Sequence, residues 1–530
     1  MLKKVRAGLN KAIGQVQTFV SESPDEYEKE FIAHNQRIWS GYRSDISEGQ
    51  ILIEENRMGG CTVGMSYVAS YLGRLEGAKL VAFTKGVSRS QKLVYSSFVD
   101  DFLFFPSRYQ EAKVEEVFAD IFSKIETKKD LEELKVHGIL IGDLIYDLFI
   151  RKLNTTTVDL DRLELPRYMR VALGYLFFWQ DYFSNNTIKA VLVSHCVYPW
   201  AGIITRVAVS FEVPVYLVQP NRIYYVTNSH NARAYNQYID YPTQFEQLSL
   251  AEKEKGLLKA EDRIARRFRG ERDVGGHHLI KPTYIAKTGK RVLKDNFQIK
   301  ILVAVHCFSD DNHVYGNNLF PDFYEWLSFL GEMSERTDYD WYLKLHPDHY
   351  SWETKHIEDF VHRFPKFTVL SSDTSHHQII DDGISCVLTV YGTIGFEYAA
   401  LGIPVITAAE WNPTVAYNFN VHPKSIQEYE QTLLNLDEIK LEIDHLKVYE
   451  YYYCQYLDEP DNWLYDSFTR LDSEIGGRNA HIGSLSYKKY LDQFSVQKHE
   501  SILATIARFK KSGDYCLRPC HVVKKEVIDS

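Results

Sequence analysis

The chain has 530 residues, of which 45% are hydrophobic and 25% charged, with 36 Tyr, 29 Phe and 8 Trp. That content suffices for more than one buried core and excludes intrinsic disorder for the bulk of the chain. Sixty-one Lys and Arg stand against 71 Asp and Glu, a net charge of −10, which excludes the chain-wide basic surface of a nucleic-acid binder.

The chain opens on Leu2, Val5, Leu9, Ile13, Val16 and Val20 at helical spacing, with Lys3, Lys4, Arg6 and Lys11 between them. This pattern predicts a basic amphipathic helix within an N-terminal unit, residues 1–30. Such a helix either lies on an anionic membrane surface or packs on its own protein, and the pattern leaves both open. The first twenty residues lack the apolar core of a signal peptide. No apolar run approaches the roughly 20 residues of a membrane span. The seven cysteines, odd in number and mostly far apart, argue for reduced thiols rather than a disulfide framework.

Strand and helix signals then alternate, which predicts α/β architecture with parallel sheets. Residues 50–54 (QILIE), 79–83 (KLVAF), 190–194 (AVLVS) and 213–218 (VPVYLV) read as strands, with helices over 62–75 and 200–210. Gly270, Gly275-Gly276 and Pro282 mark a boundary between 270 and 298. A second series follows, with strands at 300–305, 340–345, 366–370, 385–390 and 404–407 and helices over 322–333 and 395–401. From about residue 425 the pattern is helical and aromatic-rich. The expected domains are therefore 31–290, 291–425 and a C-terminal helical region, 426–530, packing back on the first domain.

The segment 389–407, TVYGTIGFEYAALGIPVIT, carries the strongest chemical signal. A strand runs into Gly392-Thr393, and a helix begins near Gly395. Gly392 permits close backbone approach, Thr393 supplies a hydroxyl, and the helix start favours a phosphate. Glu397 is placed to accept from a ribose hydroxyl. Upstream, LKLHPDH puts His346 at a strand end, with Pro347 keeping it out of the helical region. The loop 306–313, HCFSDDNH, leaves the same sheet, and His306 and Asp310 are candidate contacts to a sugar or phosphate. No spacing there matches a familiar metal motif, so no metal is expected.

In the first domain, HGILIGDLIYD spaces Asp143 and Asp147 one helical turn apart, on one face. Either could act as a general base, as could His195 at the end of its strand. Glu55, Asn56 and Arg57 also follow a strand and are expected to border the cleft.

On these residues the sequence resembles bacterial capsule and surface-polysaccharide glycosyltransferases of the GT-B type, the surface carbohydrate biosynthesis proteins. The motifs are TVYGTIGFEYAALGIPVIT with LKLHPDH, together with HGILIGDLIYD, HCFSDDNH and AYNFNVHPKSIQEY, spanning about residues 50 to 430. The resemblance implies two Rossmann-like domains facing across a cleft, acceptor on the first and nucleotide-sugar donor on the second, with no metal or other cofactor. It implies that His346 and the Gly392-Thr393 turn hold donor phosphate and that Glu397 holds a ribose or sugar hydroxyl. Similar His-Pro motifs occur in transferases using CMP-activated ulosonic acids and in teichoic-acid polyol-phosphate transferases. The implied function is transfer of a sugar to a surface glycan or lipid-linked acceptor. The implied location is cytoplasmic, with peripheral contact through residues 1–20 at the inner face of the membrane. Two alternatives stand beside it, a nucleotide-sugar epimerase on the same scaffold and a non-catalytic polysaccharide-assembly scaffold.

Overall fold

A computed structural model describes residues 23–40, 48–271, 284, 290–346, 349–460, 462–466 and 484–523. The expected basic helix over residues 1–20 lies outside these, as does Pro347. Among the described residues no helix is long and apolar enough to cross a membrane.

Two open sheets organise the chain. The first contains β1 (Gln50–Glu54), β2 (Lys79–Thr84), β3 (Asp101–Phe104), β6 (Ile188–Val193), β7 (Val215–Val218) and β8 (Ile223–Val226). A small antiparallel hairpin, β4 (Lys135–Val136) and β5 (Ile139–Leu140), stands apart from it. The strand order is β3-β2-β1-β6-β7-β8, parallel except for β8. The second sheet contains β9 (Lys300–Ala304), β10 (Asp340–Lys344), β11 (Phe367–Leu370), β12 (Cys386–Thr389) and β13 (Val405–Thr407). Its order is β11-β10-β9-β12-β13, parallel throughout.

The central strands are apolar on both faces because helices cover both. Along β1, Leu52 joins one core while Ile51 and Ile53 join the other. Along β9, Ile301 and Val303 face one core and Leu302 the opposite one. This is the period-2 alternation of a strand, realised as two cores per sheet. The result is the expected class, two Rossmann-like parallel sheets with C-terminal helices.

Both sheets reverse their winding at one point, between β1 and β6 in the first and between β9 and β12 in the second. Open α/β sheets bind ligands beside such points, outside the carboxyl ends of the strands. The long expected helices form with small shifts of boundary: Gly59–Glu76, Tyr198–Ser210, Phe323–Glu335 and Ile394–Ala400.

The C-terminal helices serve both halves. Leu485–Asp492 and Val496–Ser512 pack on Gly59–Glu76, placing Tyr487, Tyr490, Ile502 and Phe509 in a core with Ile51 and Ile53. The helix His445–Tyr452 and the π-turn Tyr453–Leu457 pack instead on the helix Leu250–Phe268. There Ile264, Phe396, Phe419 and Tyr451 share one apolar cluster. Leu250–Phe268 precedes the boundary expected at 290/291, yet its buried face lies against the helix that follows β12.

Candidate functional site

The carboxyl ends of the two sheets meet. The loop after β9 packs on the helices Gly142–Leu153 and Tyr198–Ser210 of the first half. Tyr235 N–H donates to Val314 O at 3.0 Å. The Tyr146 and Thr157 hydroxyls both donate to Asp322 Oδ2 at 2.6 Å. The other oxygen of Asp322 caps the helix Phe323–Glu335 by accepting from Tyr324 and Glu325 N–H. One buried carboxylate thus starts a helix of the second half and anchors it to the first.

The reversal point of the second sheet gathers three of the expected residues. Gly392 N–H donates to Thr389 Oγ1 at 3.2 Å, and Thr389 Oγ1 lies 3.2 Å from His306 Nε2. Tyr391 N–H also points at His306 Nε2, at 3.4 Å. With Nε2 accepting, we assign the ring proton to Nδ1. The ring stacks on Phe323 with centroids 4.5 Å apart. Burial, then His346, pushes the His306 pKa down to about 3, so the ring is neutral at physiological pH. His346, at the end of β10, places Nδ1 3.5 Å from Cys307 Sγ. Three adjacent strand ends, those of β10, β9 and β12, therefore carry His346, His306 and Gly392 to one place.

Space at Gly392 is tight. A Cβ at that position would lie 2.9 Å from Thr389 Oγ1. A Cβ at Gly395 would lie 3.2 Å from the Asn420 amide nitrogen. Thr393 is exposed at the start of Ile394–Ala400 and its side chain makes no capping bond. Asp310 is exposed on the neighbouring loop.

Glu397 is placed differently from the expectation. It is buried, and Arg267 donates to its Oε1 from Nε at 3.0 Å and Nη2 at 2.6 Å, while Tyr284 hydroxyl donates to Oε2 at 2.7 Å. Burial opposes its charge, but Arg267 outweighs it and holds the pKa below the usual range. Both oxygens are engaged, so the carboxylate ties two helices together instead of waiting for a ribose hydroxyl.

The two aspartates of the first half are corrected in the same way. They do share one helix, Gly142–Leu153, and both are buried. Arg206 donates to Asp143 Oδ1 at 2.5 Å and Oδ2 at 2.8 Å, and Arg233 lies 3.6 Å away. Burial would raise this carboxyl, yet Arg206 brings it below the ordinary range. A carboxylate in a bidentate pair is a weak base. Asp147 accepts from His313 Nδ1 at 2.7 Å and from His313 N–H at 3.2 Å. Neither aspartate is open to a substrate hydroxyl.

At the reversal point of the first sheet, Glu54 at the end of β1 accepts from Ser194 N–H and Oγ, both at 2.8 Å. His195 follows Ser194 and is half-buried. Glu55 accepts from Thr84 at 3.2 Å, and burial raises its pKa. Asn56 Oδ1 accepts from Met58 N–H at 2.7 Å, shaping the turn into the helix Gly59–Glu76. Arg57 is exposed. Among the described residues no group of three or more His, Cys, Asp or Glu could hold a metal ion.

Sequence reasoning missed the partners. Arg206 had a readable signal, a lone charge in the apolar helix segment GIITRVAVS, and buried charges are paired. Arg267 had none, since it stands in an Arg266-Arg267-Phe268-Arg269 run whose members look alike. His313 and Asp311 lie in the noted loop, but nothing local separates them from Asp310.

No protein-family model matches the chain, and no curated protein matches it in sequence. Among solved structures, the chain is similar to a UDP-GlcNAc 2-epimerase from Neisseria meningitidis. That match is 11% identical, covers 76% of this chain and 97% of that one, and has a TM-score of 0.26. A glycosyltransferase from Rickettsia africae is 13% identical over 88% and 99% of the two chains, with a TM-score of 0.23. A wall teichoic acid polymerase is 11% identical over 93% and 100%, with a TM-score of 0.22. Likenesses at this level carry no activity from one chain to another.

Proposed function

We propose that the protein is a glycosyltransferase that moves a sugar from a nucleotide-sugar donor to a bacterial surface glycan or lipid-linked acceptor. The observation that carries this reading is the linked turn at the reversal point of the second sheet. There Gly392, Thr389 and His306 form one hydrogen-bonded unit beside His346, with the exposed Thr393 hydroxyl at its rim. Such a turn suits a donor phosphate, because the Thr393 hydroxyl and a neutral imidazole N–H are donors that bring no buried charge, while the Gly392 and Tyr391 N–H groups hold the turn in shape. His306, His346, Gly392 and Thr393 take the donor; the first half, around His195, takes the acceptor.

Calorimetry with CMP-, UDP- and GDP-sugars tests the donor site, beginning with a CMP-activated ulosonic acid. The expected result is binding of one nucleotide class, with release of free nucleotide on turnover. NMR of the donor incubated without acceptor distinguishes an epimerase, which changes the sugar and keeps its nucleotide link. No binding of any nucleotide sugar would leave an assembly scaffold as the better reading.

A further inference from the structure

Three polar atoms where the halves meet, His195 Nδ1, Tyr198 Oη and Asp311 Oδ1, are shielded from solvent and make no well-formed hydrogen bond among the described residues, although Tyr198 and Asp311 are near enough to shift each other's pKa. They come from both halves. His195 follows β6, Tyr198 opens the helix Tyr198–Ser210, and Asp311 lies on the loop after β9. The His195 and Tyr198 rings meet edge to face with centroids 6.5 Å apart. Arg151 holds its guanidinium 5.2 Å from the centre of the Tyr198 ring and Nη1 3.8 Å from Asp311 Oδ1, a loose ion pair beyond hydrogen-bond distance. Buried polar atoms are nearly always hydrogen-bonded, so three without a well-formed hydrogen bond, drawn from both halves, point to a polar ligand group. Tyr198 adds an independent mark. Its φ is +60°, the left-handed region, which is strained for a side chain of this size. Strain of this kind is retained where the surroundings impose it, and it collects at functional sites.

We propose that Asp311 is the general base of the transfer reaction, receiving the acceptor's hydroxyl proton in a niche completed by Tyr198 and His195. This rests on the glycosyltransferase reading. The acceptor O–H proton passes to the Asp311 carboxylate, and the acceptor oxygen bonds to the anomeric carbon. The bond from that carbon to the donor phosphate oxygen breaks, and its electron pair leaves with the nucleotide. Such a single displacement inverts the anomeric carbon. Tyr198, whose phenol burial and Asp311 keep protonated, donates to the acceptor and orients it.

Asp311 has the proton affinity for this task. Burial, then Asp147, pushes its pKa up to about 6, while Tyr198 and Arg151 oppose the rise and Asp310 adds to it. Cys196, Tyr235 and Tyr391 also lie within its electrostatic reach. The carboxylate is therefore ionised at neutral pH and more basic than an exposed one.

The test uses the full chain, nucleotide sugars as donors and water as acceptor. Calorimetry reads nucleotide affinity and nucleotide release reads turnover, for wild type, Asp311→Asn and Asp311→Glu. Expected for Asp311→Asn is unchanged affinity, a fall in turnover of about 100-fold or more, and loss of the acid limb near pH 6 that wild type shows; Asp311→Glu retains that limb. A fall of less than about tenfold, or an acid limb that survives in Asp311→Asn, overturns the proposal while the donor reading stands. Wild type binding no nucleotide sugar overturns both. If Asp311→Asn does not fold, Tyr198→Phe decides, with a loss of about tenfold at unchanged affinity in support and a wild-type rate against.

Discussion

His313 of the second half donates from Nδ1 to Asp147 of the first at 2.7 Å, and its Nε2 lies 3.3 Å from Glu132. All three are buried. Burial alone would strip the proton from the ring, but Asp147 and Glu132 outweigh it and raise the His313 pKa well above its ordinary value. An imidazolium between two carboxylates thus joins the halves directly behind the proposed site.

Replacing His313 by Asn leaves two buried carboxylates without their cation, and about 3–5 kcal/mol of stability should be lost. The sign with pH follows from the raised pKa. The imidazolium contribution is whole below the unfolded value of 6.5 and fades as pH rises toward the folded value. Glu132, held below its ordinary value, works at the other end, losing its contribution as pH falls through the folded pKa. Urea denaturation of wild type and His313→Asn should show a gap that narrows from pH 6.5 to pH 9. A gap that widens with pH would refute the imidazolium.

Arg206→Leu should destabilise by about 3–5 kcal/mol because Asp143 stays buried and loses its bidentate partner. The double variant Arg206→Leu with Asp143→Leu should recover most of that, since no uncompensated charge remains. A double-mutant cycle by chemical denaturation measures the coupling. Equal losses in the single and double variants would show that the ion pair is not the reason these residues are there.

Gly392→Ala puts a methyl group 2.9 Å from Thr389 Oγ1. The hydroxyl must shift, and with it the contact to His306. We expect a modest stability loss of about 1–3 kcal/mol and a loss of nucleotide affinity of about tenfold or more, larger than the stability change explains. Calorimetry beside a thermal melt checks both, and unchanged affinity would remove this turn from the donor site.

Six of the seven cysteines are buried and none of the seven forms a disulfide, with Cys520 the exposed one. Burial pushes the Cys61, Cys196 and Cys386 thiols up to about 12, which suppresses the reactive thiolate. Native protein treated with a chromogenic disulfide reagent should release one equivalent quickly, and denatured protein seven. Rapid release of several equivalents from folded protein would contradict this burial.

Much of the architecture was legible in the sequence because it depends on short-range pattern. Apolar runs such as QILIE and KILVA, spaced by amphipathic helices, determine buried parallel strands. The positions of His306, His346 and Gly392 at strand ends follow from the same pattern, and so does the pairing of Asp143 and Asp147 on one helix face. What those side chains meet depends on chain segments far away in sequence. Arg267 stands 130 residues from Glu397, and His313 stands 166 from Asp147. A carboxylate at a strand end looks the same in sequence whether it faces a substrate or a distant arginine. Only the packing of the two sheets decided that Glu397, Asp143 and Asp147 are bound to cations within the protein. The same packing left buried polar atoms of Asp311, Tyr198 and His195 without a well-formed hydrogen bond.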